Sequence, residues 1–439
     1  NFIDYCNILK DDGGAIYTYI GNVGTTHTNR TISGNIILNV TGNGTGTADG
    51  GLKGNGVYLD GYTINVDILN NTIENVADAG IYLNGARNAR VRSNTVYNAS
   101  DQIYAYNWGA TLMSGNEIKK NILVSLNDNQ RTLTFQALDA DILTFGVSDS
   151  NYYATVFSER YPIHTVNAGN ITFTGTPYDL ENWRTTTTLD THSTYTPKMR
   201  YGYDYTLVGS NKYANKTFDS NVNGLSYSNC TPTWTDTGGL DAGCVNIDNS
   251  ELSVNANVQF PIGAIESGKT YLLKFSSKSS KANSVVRVNF IELSSPYAYT
   301  TQTFTYLDNV RYENQMLLSS TLTHSNVAVK LQFSNADGLI NIDNFELTEV
   351  TTTNISDANY AYLAYNETIA AKTVLFPWTA KDVNGDYKGS SAYLQPYTGM
   401  MVFYDTPVNP GTYTKIRVLP NGKYMVNSRN GYRPMMKKP

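Results

Sequence analysis

The chain of 439 residues is long enough for two or three domains that each bury a sizeable core. Only 16% of its residues are charged, and it contains 34 tyrosines and 35 glycines. That composition is common in secreted all-β proteins and unlike that of a helical cytosolic enzyme. The net charge of −5 argues against a nucleic-acid partner, and no apolar run reaches the ~18 residues that a membrane span requires.

One short pattern occurs three times in succession between residues 56 and 118. Each copy has a strand with tyrosine at its third position, in residues 56–60, 80–84 and 102–106. Each strand is followed by a turn and by a second strand with asparagine in first place, at Asn71, Asn94 and Asn116. A β-rich unit of about 20–25 residues is too short to bury its own apolar face, so its copies must stack. The sequence therefore predicts that residues 1–155 form a right-handed parallel β-helix, with asparagines in hydrogen-bonded ladders at its corners.

The chain after the repeats divides into four further parts. Residues 156–212 are mostly irregular and are predicted to cap and link the stack, with Trp183 in a short helix. Alternating strands in residues 213–350 predict a β-sandwich, and residues 351–405 predict a small β-sandwich. Residues 406–439 contain no acidic side chain and are predicted to be a solvated basic tail. Because Asn1 falls within a repeat, we expect the sequence to be a truncated or processed piece of a longer protein.

Cysteine and histidine are too scarce to predict a disulfide scaffold or a zinc site. The chain has three cysteines and four histidines, which are far apart in sequence. Cys6 is predicted to be a buried free thiol. Cys230 and Cys244 could close a small loop by a disulfide, and the sequence leaves that pairing open.

Several segments resemble known families. The strings Asp-Asp-Gly-Gly-Ala-Ile-Tyr-Thr-Tyr at 11–19 and Gly-Val-Tyr-Leu-Asp at 56–60 resemble the right-handed parallel β-helix carbohydrate-active proteins, which include pectate-lyase-like enzymes and glycoside hydrolases. Residues 213–350 resemble a Bacteroidota-type carbohydrate-binding β-sandwich. Residues 355–405 resemble the small sandwich that ends many exported glycan-processing proteins. These resemblances imply an all-β, extracellular or cell-surface protein.

The β-helix resemblance implies that carboxylates on neighbouring coils do the chemistry, without a cofactor for catalysis. Glycoside hydrolysis needs two carboxyl groups that lie ~5 Å or ~6.5–9.5 Å apart. The catalytic candidates are Asp60, Asp12 and Asp11. Along a straight strand, Asp12 and Asp60 would be about 23 Å apart, so the pair requires a corner at Gly13 and Gly14 or in the insertion at 40–55. The other acids at the edge of Asp12 are rival partners, namely Asp78 and Asp101. Each Asp could instead only bond local backbone N–H groups in a turn.

Candidate binding residues are aromatic or basic. Aromatic side chains could form a platform on which sugar rings stack, or an aromatic ladder within the stack; they are Tyr17, Tyr58, Tyr82, Tyr104, Tyr106 and Trp108. Arg90, together with Arg87 and Arg92, could bind an acidic sugar or lie on a solvated strand face. The resemblance of the sandwich implies that Asp219 and Asp343 hold a structural calcium.

The leading prediction is an exported glycan-active protein, a glycoside hydrolase that uses paired carboxylates on adjacent coils and acts on a polysaccharide or oligosaccharide. One alternative is a non-catalytic glycan-binding adhesin or a phage tailspike segment. A tailspike segment would be part of a virion and would form a trimer. A further alternative is a polysaccharide lyase, which would use an acid cluster for calcium and a Lys or Arg as base.

Overall fold

The computed structural model describes most of the chain. The described residues are 1–21, 27–47, 51–107, 113–126, 129–137, 142–157, 162–167, 176–196, 201–238, 240–241, 243–250, 254–281, 284–300, 302–321, 323–333, 338–405, 416–418, 424–428 and 431–435. Strands account for most of these residues and form six sheets within the described ranges. The predicted all-β class is therefore confirmed. No helix in the described ranges has the length and apolar character needed to cross a membrane.

The N-terminal part of the chain is built mainly from short strands. In chain order its elements are β1 (Phe2–Asp4), β2 (Gly13–Thr18), β3 (Arg30–Ser33), β4 (Ile36–Val40), β5 (Gly54–Leu59), β6 (Val66–Leu69), β7 (Thr72–Asn84), β8 (Arg90–Arg92), β9 (Thr95–Asn107), β10 (Asn116–Lys119), β11 (Ile122–Ser125), β12 (Arg131–Ala137), a 3-10 helix (Ile142–Phe145), β13 (Gly146–Asp149), β14 (Tyr152–Thr155), β15 (Ile163–Asn167), β16 (Thr176–Tyr178), α1 (Leu180–Thr187) and β17 (Thr194–Thr196). Every pairing among these strands is parallel except that of β15 with β16.

These strands form three columns, and each pass of the chain, here called a coil, adds one strand to each column. The asparagine column contains β1, β4, the first halves of β7 and β9, β11, β14 and β17. The tyrosine column contains β2, β5, the second halves of β7 and β9, β12 and β15, and the third column contains β3, β6, β8, β10 and β13. Buried aliphatic side chains fill the interior. Strand pairing does not determine the hand of the coil, which stays a prediction.

A ladder of buried asparagines runs along the asparagine column, with each asparagine directly before a strand of that column. Each side-chain amide donates to the amide oxygen of the next rung at 2.8–3.0 Å. The rungs are Asn35, Asn71, Asn94, Asn121 and Asn151. The sequence-based choice of Asn116 as the rung after Asn94 is wrong, because Asn116 opens β10 in the third column, where its Oδ1 accepts from the backbone N–H of Ala89 at 3.0 Å.

The helix α1 closes the far end of the interior. Trp183 is buried in it and stacks on Phe135, with ring centroids 5.5 Å apart. The fully buried Asp190 follows the helix and accepts hydrogen bonds from Trp183 Nε1 at 3.0 Å and from Asn151 Nδ2 at 3.3 Å. The asparagine ladder therefore ends on a buried carboxylate.

The following part of the chain is an antiparallel β-sandwich. Its strands are β18 (Tyr203–Leu207), β19 (Ser226–Ser228), β20 (Thr233–Thr235), β21 (Cys244–Asn249), β22 (Asn257–Ile265), β23 (Thr270–Ser279), β24 (Ser284–Glu292), β25 (Thr303–Leu307), β26 (Tyr312–Ser319), β27 (His324–Phe333) and β28 (Gly338–Asn354). They form a six-stranded and a five-stranded sheet around one apolar core. Cys6, Cys230 and Cys244 are all free thiols, so the disulfide that the sequence left open is not formed.

The last two sheets are small and antiparallel. One contains β29 (Ala361–Tyr365), β30 (Lys372–Asp382), β31 (Tyr387–Leu394) and β32 (Gly399–Tyr404), and a 3-10 helix (Asp357–Asn359) precedes it. The other contains β33 (Ile416–Val418), β34 (Tyr424–Ser428) and β35 (Gly431–Met435). The domain boundaries of the sequence analysis stay predictions.

The sheet that contains β29 and β32 packs on the asparagine column. Leu363 and Phe403 join Tyr97 and Val124 in one buried apolar cluster. At the edge of this contact, the Tyr97 hydroxyl donates to Asp357 Oδ2 at 2.9 Å. Burial raises the pKa of Glu74 to about 7, and the negative charge of Asp357 adds to the shift.

We expect Glu74 to make folding stability fall with pH. Its pKa is about 7 in the folded chain against an ordinary 4.5, so the folded state holds a proton that the unfolded state has lost. The contribution of Glu74 to stability is therefore fully present below pH 4.5 and is lost as pH rises through about 7, by about 3 kcal/mol. In Glu74→Gln, urea unfolding at a series of pH values should show a correspondingly smaller decline. An identical decline in both proteins would contradict this assignment.

Candidate functional site

An open groove of about 630 Å³ lies over the outer face of the tyrosine column. Its floor is a row of tyrosines, and its two rims are the opposite ends of the strands. The floor residues are Tyr58, Tyr82 and Tyr104. The rim at the strand starts carries Asp12, Lys53, Asn55 and Asp78, and the rim at the strand ends carries Tyr19, Asp60, Gly61, Tyr62, Asn84 and Tyr106. The groove therefore has carboxyl groups on both sides of an aromatic floor.

The floor rings stack on one another. Tyr58, Tyr82 and Tyr104 occupy equivalent positions on successive coils. Their ring centroids are 4.7 and 4.9 Å apart, with interplanar angles of 20° and 5°. Because the faces of these rings cover each other, the floor offers the groove ring edges and hydroxyl groups. The predicted stacking platform for sugar rings is therefore wrong for this floor, and the aromatic ladder is what forms.

The carboxylate of Asp60 is held by three donors. Tyr17 donates its hydroxyl to Oδ2 at 2.6 Å, while the Gly61 N–H and Asn84 Nδ2 donate to Oδ1 at 2.7 and 2.8 Å. The strand register places Asp60 beside Tyr19 and Asn84, as the repeat predicts. Its orientation is thus determined by both neighbouring coils and by its own turn.

Asp12 lies at the opposite rim and is connected to Asp60 through Tyr58. The Tyr58 hydroxyl donates to Asp12 Oδ1 at 3.4 Å and accepts from Asn84 Nδ2 at 3.2 Å, and that amide also binds Asp60 at 2.8 Å. These contacts keep the two carboxyl groups within the ~9.5 Å upper limit for inverting glycosidases. The separation of about 23 Å expected for a straight strand is therefore wrong. Asp12 has a φ of 48°, so the chain turns a corner there before β2.

The surroundings of Asp78 in the groove favour its protonated form. Burial raises its pKa to about 6, and the negative charges of Asp101 and Asp12 add to the shift, whereas Lys53 and Arg131 oppose it. The sequence marked Asp78 only as a rival partner at the edge of Asp12. Its position just before a tyrosine-led strand was visible in the repeat, but its burial was not.

Other predicted site residues lie elsewhere. Arg90 is in the third column, and its Nε donates to Asp67 Oδ1 at 2.6 Å, so its guanidinium does not line the groove. Asp11 is half-buried and is not among the groove residues either. Tyr17 adjoins the groove through its bond to Asp60. Trp108 lies outside the described residues.

The two predicted calcium ligands in the sandwich have different surroundings. Asp219 is exposed and accepts from the Thr217 hydroxyl at 2.9 Å. Asp343 is fully buried and accepts from the backbone N–H groups of Asp241 and Asn344 at 3.4 and 2.7 Å. Within the described ranges, no group of three or more His, Cys, Asp or Glu side chains could hold a metal ion. The structural calcium at Asp219 and Asp343 stays a prediction.

Comparison with known proteins gives only distant likenesses. No family model matches the chain. A CBM4 module is 20% identical over 30% of this chain and 99% of its own length, with a TM-score of 0.26. The N-terminal cellulose-binding domain of Cellulomonas fimi beta-1,4-glucanase C is 17% identical over 33% of this chain and 97% of its own, with a TM-score of 0.24. The enzymatically active domain of bacteriophage CBA120 tailspike protein 4 is 11% identical over 73% of this chain and 55% of its own, with a TM-score of 0.28. At these TM-scores the likenesses bear on neither the mechanism nor the substrate of this chain.

Proposed function

We propose that this protein is an exported glycoside hydrolase that binds a saccharide in the groove and cleaves a glycosidic bond there. The observation that supports this most strongly is a carboxyl group with a pKa of about 6, that of Asp78, in the same open groove as Asp60. A carboxyl that keeps its proton up to about pH 6 is suited to protonate a leaving-group oxygen in mildly acidic solution.

The two rims give the carboxyl groups different roles. Glycoside hydrolysis requires carboxyl groups on both sides of the scissile bond. Asp78 on one rim donates the proton, and Asp60 on the other rim acts as the second carboxylate. Asp12 shares the rim of Asp78, where its charge helps to raise the pKa of Asp78. Through Tyr58 and Asn84, the Asp12 carboxyl on the rim of Asp78 lies within the ~9.5 Å limit of the Asp60 carboxyl, so a glycosidic bond fits between the two rims.

A second candidate function is glycan recognition without cleavage, as in an adhesin or a tailspike segment. What favours it is the environment of Asp60, whose carboxylate already accepts three hydrogen bonds from the protein. A carboxylate with these hydrogen bonds can stabilise a turn and the contacts between coils without taking part in a reaction. Retention of saccharides by a protein that releases no reducing ends would identify this function.

The experiment that tests hydrolysis is an assay against a panel of polysaccharides and aryl glycosides. New reducing ends identify a hydrolase, and an unsaturated product that absorbs in the ultraviolet identifies the lyase alternative. If neither product forms on any member of the panel, while binding is measurable, the hydrolase proposal is wrong.

We expect the hydrolysis rate to fall as pH rises through about 6. The pKa of Asp78 is raised to about 6, so above that value a growing fraction of the enzyme lacks the proton that the leaving group needs. For one essential acid, kcat/KM should decline about tenfold per pH unit on the alkaline side. Initial rates between pH 4 and 9 on the best panel substrate measure this. A rate that rises between pH 6 and 8 would remove Asp78 from the acid role.

A further inference from the structure

The tyrosine floor has a property that the catalytic roles do not use. Its three rings are seen edge-on from the groove, at the 4.7 and 4.9 Å intervals of the coils. Sugar rings have no free aromatic face to stack on there, so the floor can contact a saccharide only through ring edges and hydroxyl groups. A phenol hydroxyl both donates and accepts hydrogen bonds.

Two of the three floor hydroxyls are already engaged. Tyr58 is bonded to Asp12 and Asn84, and Tyr104 donates to Gln136. The Tyr82 hydroxyl between them has no hydrogen-bond partner among the residues that the structure describes, although most of its ring is buried in the ladder. Burial raises the pKa of Tyr82 well above its usual value, so this hydroxyl keeps its proton at any physiological pH. Because this hydroxyl lines the open groove, it can form hydrogen bonds with a bound ligand.

The shape of the groove restricts how a saccharide can lie. Along the strand direction the floor is bounded by the two polar rims, with Asp78 at one and Asp60 and Asn84 at the other. Across the coils the floor continues from Tyr58 through Tyr82 to Tyr104. An extended chain therefore fits along the column and meets the coils one after another.

Resting on the proposed function, we propose that Tyr82 is the specificity-determining residue of the groove. Its hydroxyl oxygen accepts a hydrogen bond from a free sugar hydroxyl of a glycan chain that lies lengthwise over the floor. The substrate class is then an extended oligosaccharide or polysaccharide with unsubstituted hydroxyl groups on the side that faces the protein. A chain whose hydroxyls are methylated on that side loses this bond.

The test compares Tyr82→Phe with wild type. Phenylalanine keeps the stacked ring and removes only the hydroxyl, so the ladder and the unfolding midpoint should be unchanged. The probes are the di- to hexasaccharides of xylan, mannan, β-1,4-glucan and polygalacturonan, titrated calorimetrically. For the probe series that wild type binds, we expect a loss of about three- to tenfold in affinity, the size of one hydrogen bond. The matched control is Tyr393→Phe, an exposed tyrosine on β31 of the small C-terminal sheet, which should bind as wild type does.

A second measurement separates recognition from structural damage. The per-O-methylated form of the best probe should bind wild type more weakly, and Tyr82→Phe should add no further loss with it. Equal affinity of wild type and Tyr82→Phe for every unmodified probe would overturn the inference, as would a further loss in Tyr82→Phe with the methylated probe.

The failure of this inference can be told apart from the failure of the proposed function. If wild type cleaves a probe and Tyr82→Phe binds it equally well, the role of Tyr82 is wrong while hydrolysis stands. If wild type binds a probe without cleaving it and Tyr82→Phe binds it more weakly, hydrolysis is wrong while the role of Tyr82 stands. If no probe binds to wild type, both are overturned.

Discussion

Replacing Asp78 by asparagine is expected to lower kcat by about 10²–10⁴-fold, the usual contribution of a general acid. Asparagine has nearly the same shape and cannot donate the proton that the leaving group requires. Saccharide affinity should change little, because the Tyr82 hydroxyl and the Asp60 rim remain. The fold should also be retained, since the substitution removes a carboxyl whose ionisation is opposed by burial. The measurement is kcat and KM at about pH 5.5, where Asp78 is largely protonated in wild type.

Two further variants make this prediction sharper. Asp60→Asn removes the second carboxylate and should lower kcat to a similar degree, with KM again little changed. Asp67→Asn is the matched control, because Asp67 lies in the third column and pairs with Arg90, away from the groove. If Asp78→Asn keeps more than half of the wild-type kcat, Asp78 is not the acid. If Asp60→Asn alone keeps full activity, Asp60 leaves the site and the proposed pair of carboxyl groups on opposite rims is wrong.

Asp190→Ala should produce the largest loss of stability. The fully buried carboxylate accepts hydrogen bonds from four side-chain groups besides the ladder amide of Asn151 at 3.3 Å. These donors are Ser148 Oγ at 3.0 Å, Tyr153 OH at 2.9 Å, Trp183 Nε1 at 3.0 Å and Ser193 Oγ at 2.5 Å. Alanine leaves several buried donors without an acceptor, each of which costs about 1–3 kcal/mol, so we expect a total loss of about 4 kcal/mol.

Urea unfolding monitored by tryptophan fluorescence measures this loss, since Trp183 itself contacts Asp190. Asp149→Ala is the matched control at the same end of the stack. Asp149 is partly exposed and accepts from the exposed His192 ring and from its backbone N–H, and a surface pair of this kind contributes at most about 1 kcal/mol. Equal losses in the two variants would mean that Asp190 does not terminate the ladder as described.

The repeat in the sequence was sufficient to predict which residues become neighbours along a column. Tyr58, Tyr82 and Tyr104 are in register, and Asp60 lies beside Asn84, as their spacing predicts. The reason is that stacked parallel strands bring equivalent positions of successive coils together whatever the loops between them do. The same regularity could not distinguish Asn116 from Asn121, because each of them stands at the start of a strand in the same coil. Only the structure assigns them to different columns, since β10 pairs with β8 and β11 pairs with β9.

By itself, then, the sequence determined the all-β class, the register of the tyrosine column and the acids that border the tyrosine-led strands. Only the tertiary structure decided the geometry across the column, because that depends on contacts between residues at different strand positions. The corner at Asp12, the edge-on tyrosine rings and the pairing of Arg90 with Asp67 all belong to this second group. So does the pKa of Asp78, since a pKa responds to burial and to neighbouring charge, neither of which can be read from a repeat.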